Sequence, residues 1–324
     1  MNFTTSTFYF IANPNSGLQS TRGLAKKVSQ SLTQCGRAVL YNETTSVENT
    51  TALIDHGKTM NDIIFVVAGG DGTVRSVLSQ LIHCEIPLYI IPTGTENLLA
   101  RAYGIGITYS AHLNILKHGG KCRTLDLIKS KNDLFIAVAS VGFDAEVIKL
   151  LHKDRTTNIN WFTYTKPFIN QIINHKFPVL KVIADGQTVC QQRGLIFLGN
   201  INQYAMAMPF MPDAIGDNGF IEVATYKCGN RFSMFWLILL TRLRLSTLSR
   251  RIVRLKCKSV EISAATSENC AVQFDGEIGP SLPIKAEIIQ GACKIVTPMP
   301  SNDQRYCSPL RFYHIRKIWS LLKA

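Results

Sequence analysis

Ile63-Ile64-Phe65-Val66-Val67-Ala68 runs directly into Gly69-Gly70-Asp71-Gly72-Thr73, and the apolar residues that follow, Val74, Val77, Leu78 and Leu81, recur at helical spacing. A continuous β-branched and aromatic run ended by paired glycines predicts a strand buried on both faces, then a tight loop and a helix. Glycines let a backbone approach polyphosphate closely, and the free N–H groups of a helix start attract negative charge. Asp71 is the odd residue there, because a carboxylate repels phosphates unless a divalent cation lies between them. The loop from Gly69 to Arg75 is therefore read as a metal–nucleotide site. The competing reading is an ordinary strand-to-helix turn with Asp71 as N-cap.

The segments before and after this loop repeat the strand–loop–helix theme. Thr7-Phe8-Tyr9-Phe10-Ile11-Ala12 reads as a first strand, broken by Asn13-Pro14-Asn15-Ser16-Gly17 before a helix over about 21–33. A second strand is expected at 39–42, a second helix at 47–60, a fourth strand at 87–91, and a further helix at 98–103 opened by Pro92-Thr93-Gly94-Thr95-Glu96-Asn97. Such alternation predicts a doubly wound parallel sheet, whose ligands bind at the carboxyl ends of the strands. The G-x-G-x-x-G turn of dinucleotide-binding domains is absent after the first strand. From Leu125 onward the pattern changes to short alternating strands at 134–139, 179–184, 194–199, 221–226, 260–264, 271–274 and 284–289, a second, β-rich domain. An amphipathic stretch at 309–322 is expected to form a helix that packs back on the first domain. The expected division is 1–125, completed by 299–324, and 126–298.

Five motifs in order carry a family resemblance: Asn13-Pro14-x-Ser16-Gly17, Gly69-Gly70-Asp71-Gly72-Thr73, Pro92-x-Gly94-Thr95-x-Asn97-x-x-Ala100-Arg101, Ser140-Val141-Gly142-Phe143-Asp144-Ala145 and Phe274-Asp275-Gly276-Glu277. The chain resembles the diacylglycerol kinase catalytic-domain family, which includes sphingosine kinases and bacterial lipid kinases. NAD kinases share the GGDGT loop more distantly. The resemblance implies an α/β fold of two domains, the first doubly wound and NAD-kinase-like, the second β-sandwich-like, with the active site in a cleft between them. It implies ATP and Mg2+ as cofactors and a lipid alcohol as acceptor, with diacylglycerol favoured over a sphingoid base.

Carried onto this chain, the resemblance has Asn13, Pro14, Asn15, Ser16, Gly17, Gly69, Gly70, Gly72, Thr73, Val74, Arg75, Gly94, Thr95 and Asn97 contact the nucleotide, with Thr44 or Thr45 after the second strand. Thr44 and Thr45 read equally well as turn or cap residues. Asp71 would face Mg-ATP, Glu277 would accept the proton of the lipid hydroxyl, and Asp275 would orient the base or the metal. Read locally, Asp275-Gly276 is a common hairpin turn. The chain departs from the family in two places. Arg75-Ser76 stand where Asn-Glu is usual, and Asn218 replaces the aspartate that, with carbonyls matching Ile215 and Phe220, holds a structural Mg2+ in bacterial relatives. A neutral ligand weakens that second site.

Charge bears on partners rather than on fold. Lys and Arg total 35 against 22 Asp and Glu, so an anionic partner is expected. Nine basic residues and no acidic one lie between Tyr226 and Val260, alongside Phe232, Phe235, Trp236, Leu239, Leu240 and Leu243 at helical spacing. This combination suits the surface of an acidic bilayer, whereas a helix packed on its own domain would show the same periodicity. A non-catalytic nucleotide- or nucleic-acid-binding protein is the rival class. No aromatic RNA motif or helix-turn-helix signature supports it, so no nucleic-acid partner is expected. The nine cysteines are scattered without a CxxC pair, as for reduced thiols in a cytosolic protein. No run reaches the roughly 18 apolar residues of a membrane span. The expectation is a cytoplasmic, peripherally membrane-associated enzyme, with a homodimer left open.

Overall fold

The computed structural model describes residues 3, 5–16, 23–131, 133–153, 175–204, 208–265 and 270–299. The helix expected at 309–322 and the loop glycine Gly17 lie outside them. The chain divides into two compact units, the first comprising Met1–Leu125 and the stretch from Gly291 onward, the second Asp126–Gln290.

The first unit alternates strands and helices: β1 (Thr7–Ala12), α1 (Leu24–Gln34), β2 (Val39–Glu43), α2 (Val47–Lys58), β3 (Ile63–Gly69), α3 (Asp71–Gln80), β4 (Pro87–Pro92), α4 (Leu98–Ala102) and α5 (Tyr109–His118). β3 is buried at every residue, as its unbroken apolar run requires of a central parallel strand. It lies between β1 and β4, with β2 outside β1, all parallel. The register pairs Ala12 with Ala68 and with Glu43, and Gly69 with Pro92. All four strands therefore end level, and the four loops that follow them open at one edge of the sheet.

The second unit is antiparallel. β5 (Lys121–Ser130) leads into it, followed by β6 (Asp133–Phe135), β7 (Val138–Val141), α6 (Phe143–Lys153), β8 (Val179–Ala184), β9 (Gln187–Gly199), β10 (Ile221–Lys227), α7 (Arg231–Arg242), β11 (Ile252–Cys257), β12 (Ser259–Ala264), β13 (Val272–Phe274) and β14 (Glu277–Ile278). β15 (Ile284–Thr297) pairs its first half with β12, and its second half with β4 in the first unit's sheet. The long β9 joins two sheets, its first half paired with β8 and its second half lying between β7 and β10. The change of partner falls at Gly194, where a Cβ would stand 1.9 Å from the Tyr226 carbonyl oxygen. Only glycine allows that approach. Inner faces of both sheets meet in one core, with Phe135 and Phe274 stacked at 4.9 Å. This is sandwich packing.

Three expected strands change on folding, and the one expected at 284–289 runs on to Thr297 as β15. The strand expected at 134–139 is two strands, β6 pairing with β5 and β7 with β9 and β13, because the chain turns at Ile136 and Ala137. The strand expected at 194–199 starts seven residues earlier, at Gln187. Its polar first half is held by a two-residue hairpin, Asp185-Gly186, both at positive φ. Among the described residues, no helix is long and apolar enough to cross a membrane.

Candidate active site

The three motif loops of the first unit are stitched to one another. Asn13 donates from its backbone to Ala68 and from Nδ2 to Thr73 Oγ1 at 3.1 Å, tying the loop after β1 to that after β3. The Asn13 Oδ1 accepts from Asn15 N–H, and Ser16 Oγ donates to the Asn13 carbonyl. Ser16 Oγ also meets Thr93 Oγ1 at 2.8 Å, while Thr93 N–H donates to Gly69 O. Thr93 thus joins all three loops. Its sequence signal is only a hydroxyl between two motif positions, and sequence reasoning passed over it.

At the centre the backbones of Gly70 and Gly94 nearly touch. A Cβ on Gly94 would lie 2.6 Å from Gly70 Cα and 2.9 Å from Asn97 Oδ1. Asn97 closes its own loop, accepting from Gly94 N–H at 2.9 Å and donating to Gly94 O at 2.8 Å. The side chain of Thr95 is exposed beside it. Gly94→Ala is expected to push the two glycine loops apart, at a cost of about 1–3 kcal/mol in stability, as for an overpacked site. Thermal unfolding would read that loss, and calorimetric titration with ATP the weakened binding.

Asp71 is the first residue of α3, and Gly70 holds the N-cap place without a side-chain cap. Asp71 therefore stands one place inside the helix start and not at the N-cap itself. Its Oδ1 lies 3.4 Å from Leu99 N–H at the start of α4, so the carboxylate is kept at the junction of the two loops and only partly buried. Val74 is buried beneath the first turn, whereas Arg75 stays partly accessible on it. Thr44 is spent locally: its hydroxyl is buried and bonds Ser46 O and Thr50 Oγ1 at the start of α2. Thr45 is exposed, with its N–H bonded to Asn49 Oδ1.

In the second unit Glu277 follows the Asp275-Gly276 hairpin turn that joins β13 to β14. Both turn residues have positive φ, 50° and 83°, as the right-handed twist of a two-residue hairpin demands. The Asp275 carboxylate accepts from three successive backbone amides, Ile136 at 2.8 Å, Ala137 at 2.9 Å and Val138 at 3.0 Å. These amides are free for it because the chain breaks there between β6 and β7. Asp275 is thus an anchor for the turn that carries Glu277. Asp275→Ala should orphan those amides and destabilise the protein by roughly 3 kcal/mol, while Asp275→Asn, which tolerates the backbone, should lose less. Denaturant unfolding of both variants checks the order.

A second chain of bonds reaches the same turn. Ser140 Oγ donates to Asp144 Oδ2 at 2.7 Å, Gln273 Nε2 donates to Ser140 Oγ at 3.0 Å, and Gln273 Oε1 accepts from Gly276 N–H at 2.7 Å. Burial pushes the Asp144 carboxyl above the usual carboxylate range, against hydrogen bonds from Tyr204, Ser140 and Gln273. Burial and the neighbouring Asp144 raise the Tyr204 hydroxyl as well. Nothing in the local sequence signalled Gln273.

The loop Ile215–Phe220 closes on protein groups. Asn218 Oδ1 accepts from Phe220 N–H, Asn218 N–H donates to Ile215 O, and the buried Asp126 carboxylate takes Gly219 N–H at 2.6 Å. The donors at Ile215, Asn218 and Phe220 are all neutral, and among the described residues no three His, Cys, Asp or Glu converge as a metal site.

A parallel α/β sheet with glycine loops at its carboxyl edge, in one chain with a β-sandwich-like unit, is the architecture of a kinase class defined by two family models. The model described as diacylglycerol kinase catalytic domain matches residues 7–130, and the model described as YegS C-terminal NAD kinase beta sandwich-like domain matches residues 137–297. The chain belongs to the diacylglycerol kinase catalytic-domain family. A diacylglycerol kinase of Staphylococcus aureus is 25% identical over 277 residues, covering 84% of this chain and 86% of the relative. An uncharacterised protein of Synechocystis is 23% identical over 253 residues, covering 74% of this chain and 56% of its own. A crystal structure of a diacylglycerol kinase from Bacillus anthracis superposes with a TM-score of 0.69 at 23% identity, covering 90% of this chain and 97% of that one. At that identity the likeness concerns the fold, and it agrees with the two-domain α/β and β-sandwich-like architecture expected from sequence.

Proposed function

We infer that this protein is an ATP-dependent lipid kinase that transfers the γ-phosphoryl group to a lipid hydroxyl, with diacylglycerol as acceptor and phosphatidic acid as product. The observation that carries the reading is the Gly70–Gly94 contact, a backbone cradle that a single Cβ would fill, with the Asp71 carboxylate at its rim. Glycine backbones at helix starts suit polyphosphate. Among the described residues no cluster of three His, Cys, Asp or Glu gathers there, and a single carboxylate suits Mg2+, which keeps waters and takes phosphate oxygens as its other ligands. Asp71 would hold that ion, which when bound to ATP neutralises charge on the phosphates.

Glu277 is assigned the proton-accepting role. The acceptor oxygen forms a bond to the γ-phosphorus, the bond from that phosphorus to the bridging oxygen of ADP breaks, and the hydroxyl proton passes to the Glu277 carboxylate and then to water. Asp275 and the Asp144–Ser140–Gln273 chain hold the turn on which Glu277 stands. The name of the Staphylococcus relative supports diacylglycerol as acceptor. Incubation of the purified protein with γ-labelled ATP, Mg2+ and detergent micelles of diacylglycerol or a sphingoid base tests the reading. Label in phosphatidic acid is expected. Label only in the sphingoid phosphate, or in no lipid, would overturn it.

A further inference from the structure

The apolar stripe of the basic segment faces outward. Helix α7 packs on its own unit through Met234, Leu237 and Thr241, each buried to 1% exposure or less. That narrow face leaves Phe232 at 77%, Phe235 at 42%, Trp236 at 58% and Leu239 at 47% exposed, and Leu243 and Leu248 continue the surface beyond the helix. Among the described residues, the contact of α7 with its own unit is made by Met234, Leu237 and Thr241 and leaves this stripe outside it.

Cations surround it. Arg231, Arg242, Arg244, Arg250 and Arg251 are exposed, and Arg231 stands 5.7 Å over the Phe232 ring. Lys227, Arg250 and Arg251 line an open pocket of about 430 Å³ beside the start of α7. Arg254 differs, because its guanidinium donates to Phe210 O at 3.1 Å and Ser246 Oγ at 2.9 Å and so serves the fold.

We propose that this face, α7 with the turn through Leu248 and the adjoining Arg250 and Arg251, docks the protein on an anionic phospholipid bilayer. Charge complementarity selects the occupant. An aromatic and leucine stripe ringed by arginines enters the headgroup boundary apolar side down, while the cations meet lipid phosphates. A second copy of the chain would bring the same acid-free basic segment against itself, which repels in a self-complementary interface. The proposal deepens the lipid-kinase reading and rests on it for its use, since a water-insoluble acceptor must be reached in a membrane. Binding itself is measured without turnover.

The test is co-sedimentation of the full chain with vesicles of phosphatidylcholine containing phosphatidylglycerol, at low and high salt, with phosphatidylcholine alone as control. Binding that requires phosphatidylglycerol and weakens with salt is expected. Arg244→Gln/Arg250→Gln/Arg251→Gln should lower it about a hundredfold, and Phe235→Ser/Trp236→Ser/Leu239→Ser by at least as much. Both variants should keep wild-type unfolding transitions and wild-type activity towards a short-chain acceptor dissolved in water. Loss of that activity with vesicle binding intact would place the face in turnover rather than docking and overturn the proposal. Binding that ignores salt and both substitutions would overturn it too, as would a wild-type dimer that the apolar variant converts to monomer. Docking that holds while no lipid is phosphorylated would leave the surface standing and sink the kinase reading alone.

Discussion

Asp71→Asn is expected to lower kcat/KM with Mg-ATP by about 10²-fold or more, as when one electrostatic contact to a transferring group is removed. The substitution keeps the shape of the side chain, and an amide oxygen still accepts from Leu99 N–H at the start of α4. Unfolding should therefore be unchanged while the anionic ligand for the cation is lost. Steady-state kinetics across a Mg2+ titration separates this from a packing role: the variant should need more Mg2+ and still fall short at saturation. Near wild-type turnover at ordinary Mg2+ would remove Asp71 from the site.

Glu277→Gln is expected to lower kcat by about 10²-fold or more with little change in ATP affinity, the signature of a lost general base. The glutamine matches the glutamate in size, and the turn keeps its holds through Asp275 on the amides of residues 136–138 and Gln273 on Gly276 N–H. Weakened ATP binding with kcat intact would make Glu277 a nucleotide contact instead. Paired with Asp275→Ala, the measurement separates the group that accepts the proton from the residue that positions it: the first variant should lose rate without stability, the second both.

The parts of this protein that were legible in its sequence are those whose cause is local. An unbroken apolar run before Gly69-Gly70 has no better solution than a buried parallel strand, and β3 is buried throughout. The three loop motifs of the first unit were legible for the same reason, since glycine, asparagine and hydroxyl residues at strand ends carry their own turn chemistry. The Asp275-Gly276 turn was equally legible, as a hairpin. What the carboxylate of Asp275 does was not, because its partners lie about 138 residues upstream and present their amides only where β6 ends and β7 begins. The relay through Asp144, Ser140 and Gln273 has the same origin. Periodicity could not tell whether the stripe on α7 faced a core or water, because both have the same 3.6-residue repeat. Tertiary structure decided it, by giving the buried contact to Met234, Leu237 and Thr241 and leaving Phe232, Phe235, Trp236 and Leu239 outside. Sequence determined where the glycine loops fall and which residues can line a core. Long-range packing decided which carboxylates act as anchors and which apolar face is left exposed, because those depend on what stands opposite each side chain.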